Sequence, residues 1–134
     1  MVTRTVNIAR QFKDLDLKFT IHPVRKDISK HTGELAIINA LKNLILTNHY
    51  ERPFQPDLGC NVRKLLFENF DVITASALER EIELTIRNFE PRVSLNKVKA
   101  RTDFNNNRYL IELEFFIVNL TEPISIQFFL ERLR

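Results

Sequence analysis

Three histidines and one cysteine are the side chains here best suited to ligate a metal or attack a substrate, and they fall at His22, His31, His49 and Cys60. A protein metal site needs ligands at short, fixed spacings, and these four show no such pairing. Nothing beside Cys60 in the sequence supplies a base or a cation to activate its thiol. The histidines therefore read as solvated surface groups, and Cys60 as either a buried apolar filler or a free thiol. Glycoside hydrolysis asks for two carboxyl groups flanking the scissile bond, one of them with a raised pKa. The 17 Asp and Glu offer nominal pairs, and Glu51, Glu68 and Glu90 lie beside apolar or aromatic residues, yet each also has an ordinary reading as a surface or ion-paired group. Only two glycines occur, Gly33 and Gly59, too few to build a Walker loop or a dinucleotide fingerprint. The expectation is a protein that is not an enzyme, with no catalytic, cofactor-binding or metal-binding residues and no small-molecule substrate.

Two other features point toward partners. In Glu90-Pro91-Arg92, Pro91 must end a preceding helix, which leaves Glu90 at the negative end of the helix dipole, where a carboxylate needs a cation. Arg92 either clamps Glu90 locally or projects its planar fork toward another chain. The second feature is the run Ile124 to Leu130, which is β-prone and carries neither Lys nor Pro. An unprotected strand edge of this kind is covered in natural proteins, either by a partner strand through main-chain addition or by another strand of the same chain, here Leu15 to Ile21.

The elements that hold these features follow from periodicity. Leu15, Leu17, Phe19 and Ile21 alternate with polar residues until Pro23, as in a short strand or extended arm. Ile37, Ile38, Leu41, Leu44 and Ile45 recur at helical spacing between Gly33 and Thr47. Pro53, Pro56 and Gly59 make residues 50–59 an ordered loop, and Leu65, Leu66 and Phe67 mark a short helix. A second long helix is expected from about Thr74, with Ser76 and Glu79 as a capping box and Leu78, Ile82, Ile86 and Phe89 as its buried stripe. Beyond Pro91, pairing residues whose numbers sum to 211 sets Lys97 against Glu114, Val98 against Leu113, Lys99 against Glu112 and Ala100 against Ile111. That register salt-pairs one face, makes the other apolar, and leaves Asn105 and Asn106 as a two-residue turn with positive φ. A third strand returns with Ile124, Ile126, Phe128 and Leu130 on the apolar face. The predicted class is α+β: two main helices on a three-stranded antiparallel meander, with a short N-terminal strand or arm.

Length and composition agree with one domain. A chain of 134 residues, 44% apolar and 28% charged, can bury and cover one core, so residues 1–134 are taken as a single unit with residues 1–13 as a flexible arm. No signal segment or membrane span is evident, and one Cys cannot form an internal disulfide, so folding in a reducing cytosol is expected. The net charge of +3 is local: residues 1–30 hold seven Lys/Arg against three Asp, giving +4, and the remainder holds 13 against 14, giving −1. Without clustered cations interleaved with aromatics, this does not make a nucleic-acid groove.

The order of short motifs is more specific than any one of them. His22-Pro23-Val24 before Asp27-Ile28, Ala36 to Leu46, Glu51-Arg52-Pro53-Phe54, Pro56-Asp57-Leu58-Gly59, Leu65-Leu66-Phe67-Glu68 and Glu90-Pro91-Arg92 follow one another from about Asp14 to the C-terminus. In this the chain resembles the lysozyme-like baseplate wedge family of contractile phage tails, which also serves in type VI secretion baseplates. One departure is Tyr50, where family members commonly place Gly. The resemblance implies a sheath initiator, which docks on wedge core proteins and templates the first sheath subunits by strand addition. It assigns Glu90, Pro91, Arg92 and Arg52 to wedge contacts, and Ile124, Ile126, Gln127, Phe128 and Phe129 to the sheath-facing strand. Partners would be other baseplate wedge proteins and the tail sheath protein, with no nucleic acid and no membrane. The place would be the virion tail baseplate, assembled in the host cytoplasm, and the short N-terminus favours a phage over a secretion machine. The family's name keeps a peptidoglycan-cleaving hydrolase as the rival reading.

Overall fold

The computed structural model describes residues 12–16, 18–118 and 120–131. Two compact units divide within one helix, residues 1–40 and 41–134. The proposed arm over residues 1–13 falls outside the described residues except for Phe12 and Lys13.

In the first unit, strand β1 (Lys13–Leu15) pairs antiparallel with β2 (Lys30–Thr32), setting Lys13 against Thr32, Asp14 against His31 and Leu15 against Lys30. The expected strand from Leu15 to Ile21 does not form. Asp16 stops it: its carboxylate accepts the Lys18 N–H at 2.9 Å and the Thr20 hydroxyl, closing a local turn that competes with extended backbone. Phe19 then adopts φ 53°, and Ile21 only bridges to Ile28. Leu15, Phe19 and Ile21 are exposed, so their alternation does not mark a buried face; Leu17 lies outside the described residues. Helix α1 (Glu34–Leu46) follows Gly33 as its spacing predicts, with Ala36 and Ile37 buried.

The second unit holds the meander. Leu41, Leu44 and Ile45 of α1 are buried, and Thr47 passes the chain into the loop of residues 48–61. Gly59 is indispensable there: at φ +134° an added Cβ would lie 2.7 Å from the Thr47 carbonyl oxygen, the same oxygen that accepts the Cys60 N–H at 2.8 Å. Cys60 is buried, and burial raises its thiol pKa, which fits the filler reading. The short helix α2 (Val62–Leu66) buries Val62 and Leu66.

Helix α3 (Val72–Phe89) begins two residues before Thr74, and its cap is not the expected Ser76 and Glu79. Asp71, in extended backbone, accepts the Thr74 N–H at 2.8 Å, and this bond leads the groups that lower its pKa. Glu79 instead accepts the Ala100 N–H at 2.7 Å, joining the helix to the strand that follows it. Leu78, Ile82 and Ile86 are fully buried, and the helix stops at Phe89 ahead of Pro91.

The sheet runs β3 (Val93–Asp103), β4 (Arg108–Ile117), β5 (Ile124–Glu131), in that spatial order and all antiparallel. The four predicted pairs from Lys97–Glu114 to Ala100–Ile111 are present, with one register shift between Leu95 and Lys97. The turn differs. Asp103 pairs with Arg108, four residues intervene, and the positive φ of 52° falls on Asn107 rather than on Asn105 or Asn106. The Asp103 carboxylate explains this by holding Asn106 Nδ2 at 2.8 Å and Arg108 Nε at 3.0 Å, which draws the loop inward and lowers the Asp103 pKa. The cross-strand acids also choose other partners than the lysines opposite: Glu112 meets Arg101 at 3.8 Å and Gln127 at 3.3 Å, and Glu114 accepts from Asn96 at 2.9 Å. The inner face is apolar throughout, with Tyr109, Ile111, Leu113, Phe115 and Ile117 of β4 buried.

Candidate docking surfaces and family

The Glu90-Pro91-Arg92 motif folds into a clamp. Glu90 is 6% exposed, and both its oxygens are held by Arg92, Oε1 by Nε at 2.6 Å and Oε2 by Nη2 at 2.7 Å. The bidentate fork supplies the cation that a carboxylate at a helix C-terminus requires. Its backbone is anchored as well, since Val118 N–H donates to the Arg92 carbonyl at 3.0 Å and so ties the motif to the end of β4. Arg92 keeps about a third of its side chain exposed.

Arg52 stands apart in sequence, in the exposed loop of residues 48–61. That loop is held by its own backbone: Tyr50 N–H donates to the Pro56 carbonyl at 2.9 Å, Asn48 N–H to Glu51 Oε2 at 2.8 Å, and His49 Nδ1 lies 3.1 Å from the Asp57 carbonyl. It presents two aromatics the sequence reading did not single out as contacts, Tyr50 at 82% and Phe54 at 101% exposure, both with positive φ, 66° and 71°. The departure at Tyr50 that the resemblance implied was the available signal, because glycine adopts that backbone without the cost a side chain meets. An open cleft of about 810 Å³ lies between the loop, α2 and α3, and its lining runs from His49 and Tyr50 through Phe67 and Leu84 to Asn88 and Phe89, directly before the clamp.

The carboxylates weighed for hydrolysis have structural duties. Glu51 caps the loop, Glu90 is held by Arg92, and Glu68 is exposed on the surface. In the cleft, Glu81 Oε1 accepts from Asn61 Nδ2 at 3.1 Å, with His49 Nε2 at 4.0 Å. Among the described residues no group of three His, Cys, Asp or Glu could hold a metal ion, and no helix is long and apolar enough to cross a membrane.

Strand β5 is one edge of its sheet. Ile124, Ile126 and Phe128 are half-buried on the inner face, while Gln127 and Phe129 are exposed on the outer one, where the Arg108 guanidinium stacks 3.8 Å over the Phe129 ring. Among the described residues the outer main-chain edge of β5 has no paired strand, and Gln127 and Phe129 are exposed beside it. The Ile124, Ile126 and Phe128 side chains keep part of their surface exposed.

The same fold occurs in solved baseplate and tail proteins. A chain in the baseplate of the anti-feeding prophage superposes with a TM-score of 0.73 at 22% identity, covering 85% of this chain and 91% of that one. A structure described as a tail lysozyme of Geobacter sulfurreducens superposes with a TM-score of 0.69, also at 22% identity, over 75% of this chain and 92% of that one. At such identities the likeness is one of fold. Sequence goes further: residues 31–119 match the family model described as baseplate wedge protein gp25. The baseplate wedge protein gp25 of Enterobacteria phage T4 is 32% identical over 119 residues, 89% of each chain. The chain belongs to the baseplate wedge protein gp25 family, and so to the structural subunits of contractile-tail baseplates.

Proposed function

We propose that this wedge subunit joins two parts of the tail: it docks on wedge core proteins through Arg52 and the Glu90-Pro91-Arg92 motif, and it templates the first sheath subunits on β5. The observation that carries the reading is the position of β5 at the sheet edge, with no strand paired to its outer side among the described residues. A long, apolar, lysine-free edge persists in a soluble subunit when a partner strand covers it. The docking reading draws support from the hydrogen-bonded loop, whose exposed Tyr50 and Phe54 are held in unfavourable backbone, as residues at binding sites often are. The subunit acts without catalysis, on protein partners only, as part of the virion tail assembled in the host cytoplasm.

Co-purification of a tagged copy from phage-producing cells tests docking. Arg52→Glu, on an exposed side chain, is expected to keep the thermal midpoint while reducing recovery of wedge proteins. Undiminished recovery with the charge reversed would remove Arg52 from the interface. Strand templating is tested separately, on β5.

A further inference from the structure

The first unit sorts its charges by face. On the β1–β2 ribbon, Lys13 lies opposite Thr32 and Leu15 opposite Lys30, so all four share one face, while Asp14 and His31 share the other. The acids are occupied on their own side: His31 Nε2 sits 3.3 Å from Asp16 Oδ1, and Asp16 also holds Lys18 and Thr20. The turn before β2 folds back through His22 N–H to the Asp27 carbonyl at 2.8 Å and Lys26 N–H to the His22 carbonyl at 2.9 Å. This brings His22, Arg25, Asp27 and Ile28 beside Lys13 and Lys30 around a pocket of about 340 Å³. Three cations thus face one carboxylate, and none of Lys13, Arg25 and Lys30 has an ion-pair partner among the described residues.

Three like charges gathered around a single counter-charge leave a net repulsion that raises the free energy of the isolated fold, and an anion brought into the pocket relieves it. Residues 1–11 carry Arg4 and Arg10 with no acidic side chain, and residues 132–134 carry Arg132 and Arg134, so these segments add cations rather than acidic side chains. We propose that this pocket binds an acidic peptide segment of another polypeptide, its carboxylates meeting Lys13, Arg25 and Lys30. Asp27 selects a peptide over a polyphosphate backbone. Its Oδ1 accepts the Ile28 N–H at 2.8 Å, and its second oxygen can take a further donor, which a peptide N–H supplies and a phosphodiester chain does not. No Phe, Tyr or Trp lines the pocket to stack a base, and His22 Nδ1 faces the backbone of its own turn, 3.3 Å from the Val24 and Arg25 N–H groups.

The test is fluorescence anisotropy of a labelled ten-residue Glu/Gly peptide titrated with the full chain at 50 mM salt, against a labelled oligothymidylate and competing inorganic phosphate. Arg25→Glu/Lys30→Glu is expected to weaken peptide binding about tenfold or more, whereas Lys18→Glu/Lys97→Glu, with the same net charge change outside the pocket, shifts it by less than about twofold. Should the reversed pair fail to fold by circular dichroism, Arg25→Gln/Lys30→Gln replaces it with the same expected direction. Equal losses in both doubles, or no peptide binding at all, would overturn the proposal. So would tighter, pocket-dependent binding of the oligonucleotide or displacement of the peptide by millimolar phosphate, either of which would make the ligand a phosphate.

Discussion

Asp16, Tyr50 and the Glu90–Arg92 pair show what single residues contribute. The Asp16 carboxyl is pulled down to about 2, first by the Thr20 hydroxyl, then by the Lys18 N–H, with His31 adding a smaller pull. Folding favours its charged form, so its contribution to stability is complete above the ordinary carboxylate range near 4 and disappears as pH falls toward 2. Carboxyl NMR titration should find that low value, and Thr20→Val should move it up toward the ordinary range; an unmoved midpoint would contradict the turn described. Tyr50 is held at φ 66°, where a side chain costs about 1 kcal/mol or more, so Tyr50→Gly should raise stability by up to about 1 kcal/mol in urea melts, glycine's greater unfolded-state freedom taking part of the gain. Arg92→Ala leaves Glu90 buried without its fork and should cost about 1–3 kcal/mol, of which Glu90→Gln in the same chain restores part. Additive losses in that double mutant would mean that the clamp contributes nothing as a pair.

At the scale of elements, what was legible was what periodicity and cross-strand chemistry carry. The helix of Ile37 to Ile45, the stop at Pro91 and the sum-211 register were all readable because each depends on residues a fixed distance apart. What failed depended on one short polar side chain choosing a neighbour. Asp16 ended a strand that alternation favoured, Asp71 took the cap from Ser76, and Asp103 opened a two-residue turn into four. Local Asp bonds of this kind offer the backbone an alternative that hydrophobic patterns do not register. Gly59 was read only as a helix breaker, although its lack of a Cβ is what allows the loop to press on Thr47. Gly59→Ala should therefore destabilise by about 2–3 kcal/mol, read from the denaturation midpoint.

For the whole molecule, the candidate site was legible unevenly. Glu90-Pro91-Arg92 stood out because a helix-end carboxylate needs a cation, but no spacing rule revealed that the pair closes within the chain. The β5 edge was visible as a run without Lys or Pro, whereas the pocket of Lys13, Arg25 and Lys30 was not, because a tight turn between short strands brings those residues together. On the proposed reading, the wedge subunit uses distinct surfaces, a hydrogen-bonded loop with two exposed aromatics for docking and the outer edge of β5 for the first sheath strands.

The most direct measurement is a pair of proline substitutions at neighbouring positions of β5, Gln127→Pro and Phe128→Pro, followed by electron microscopy of baseplates assembled with each. In an antiparallel strand one of two successive N–H groups faces β4 and the other faces outward. The proline facing β4 should destabilise the fold. The outward one should leave the domain folded and on the baseplate, yet no sheath should extend from it. Normal sheath on that folded, baseplate-bound variant would contradict strand templating by β5.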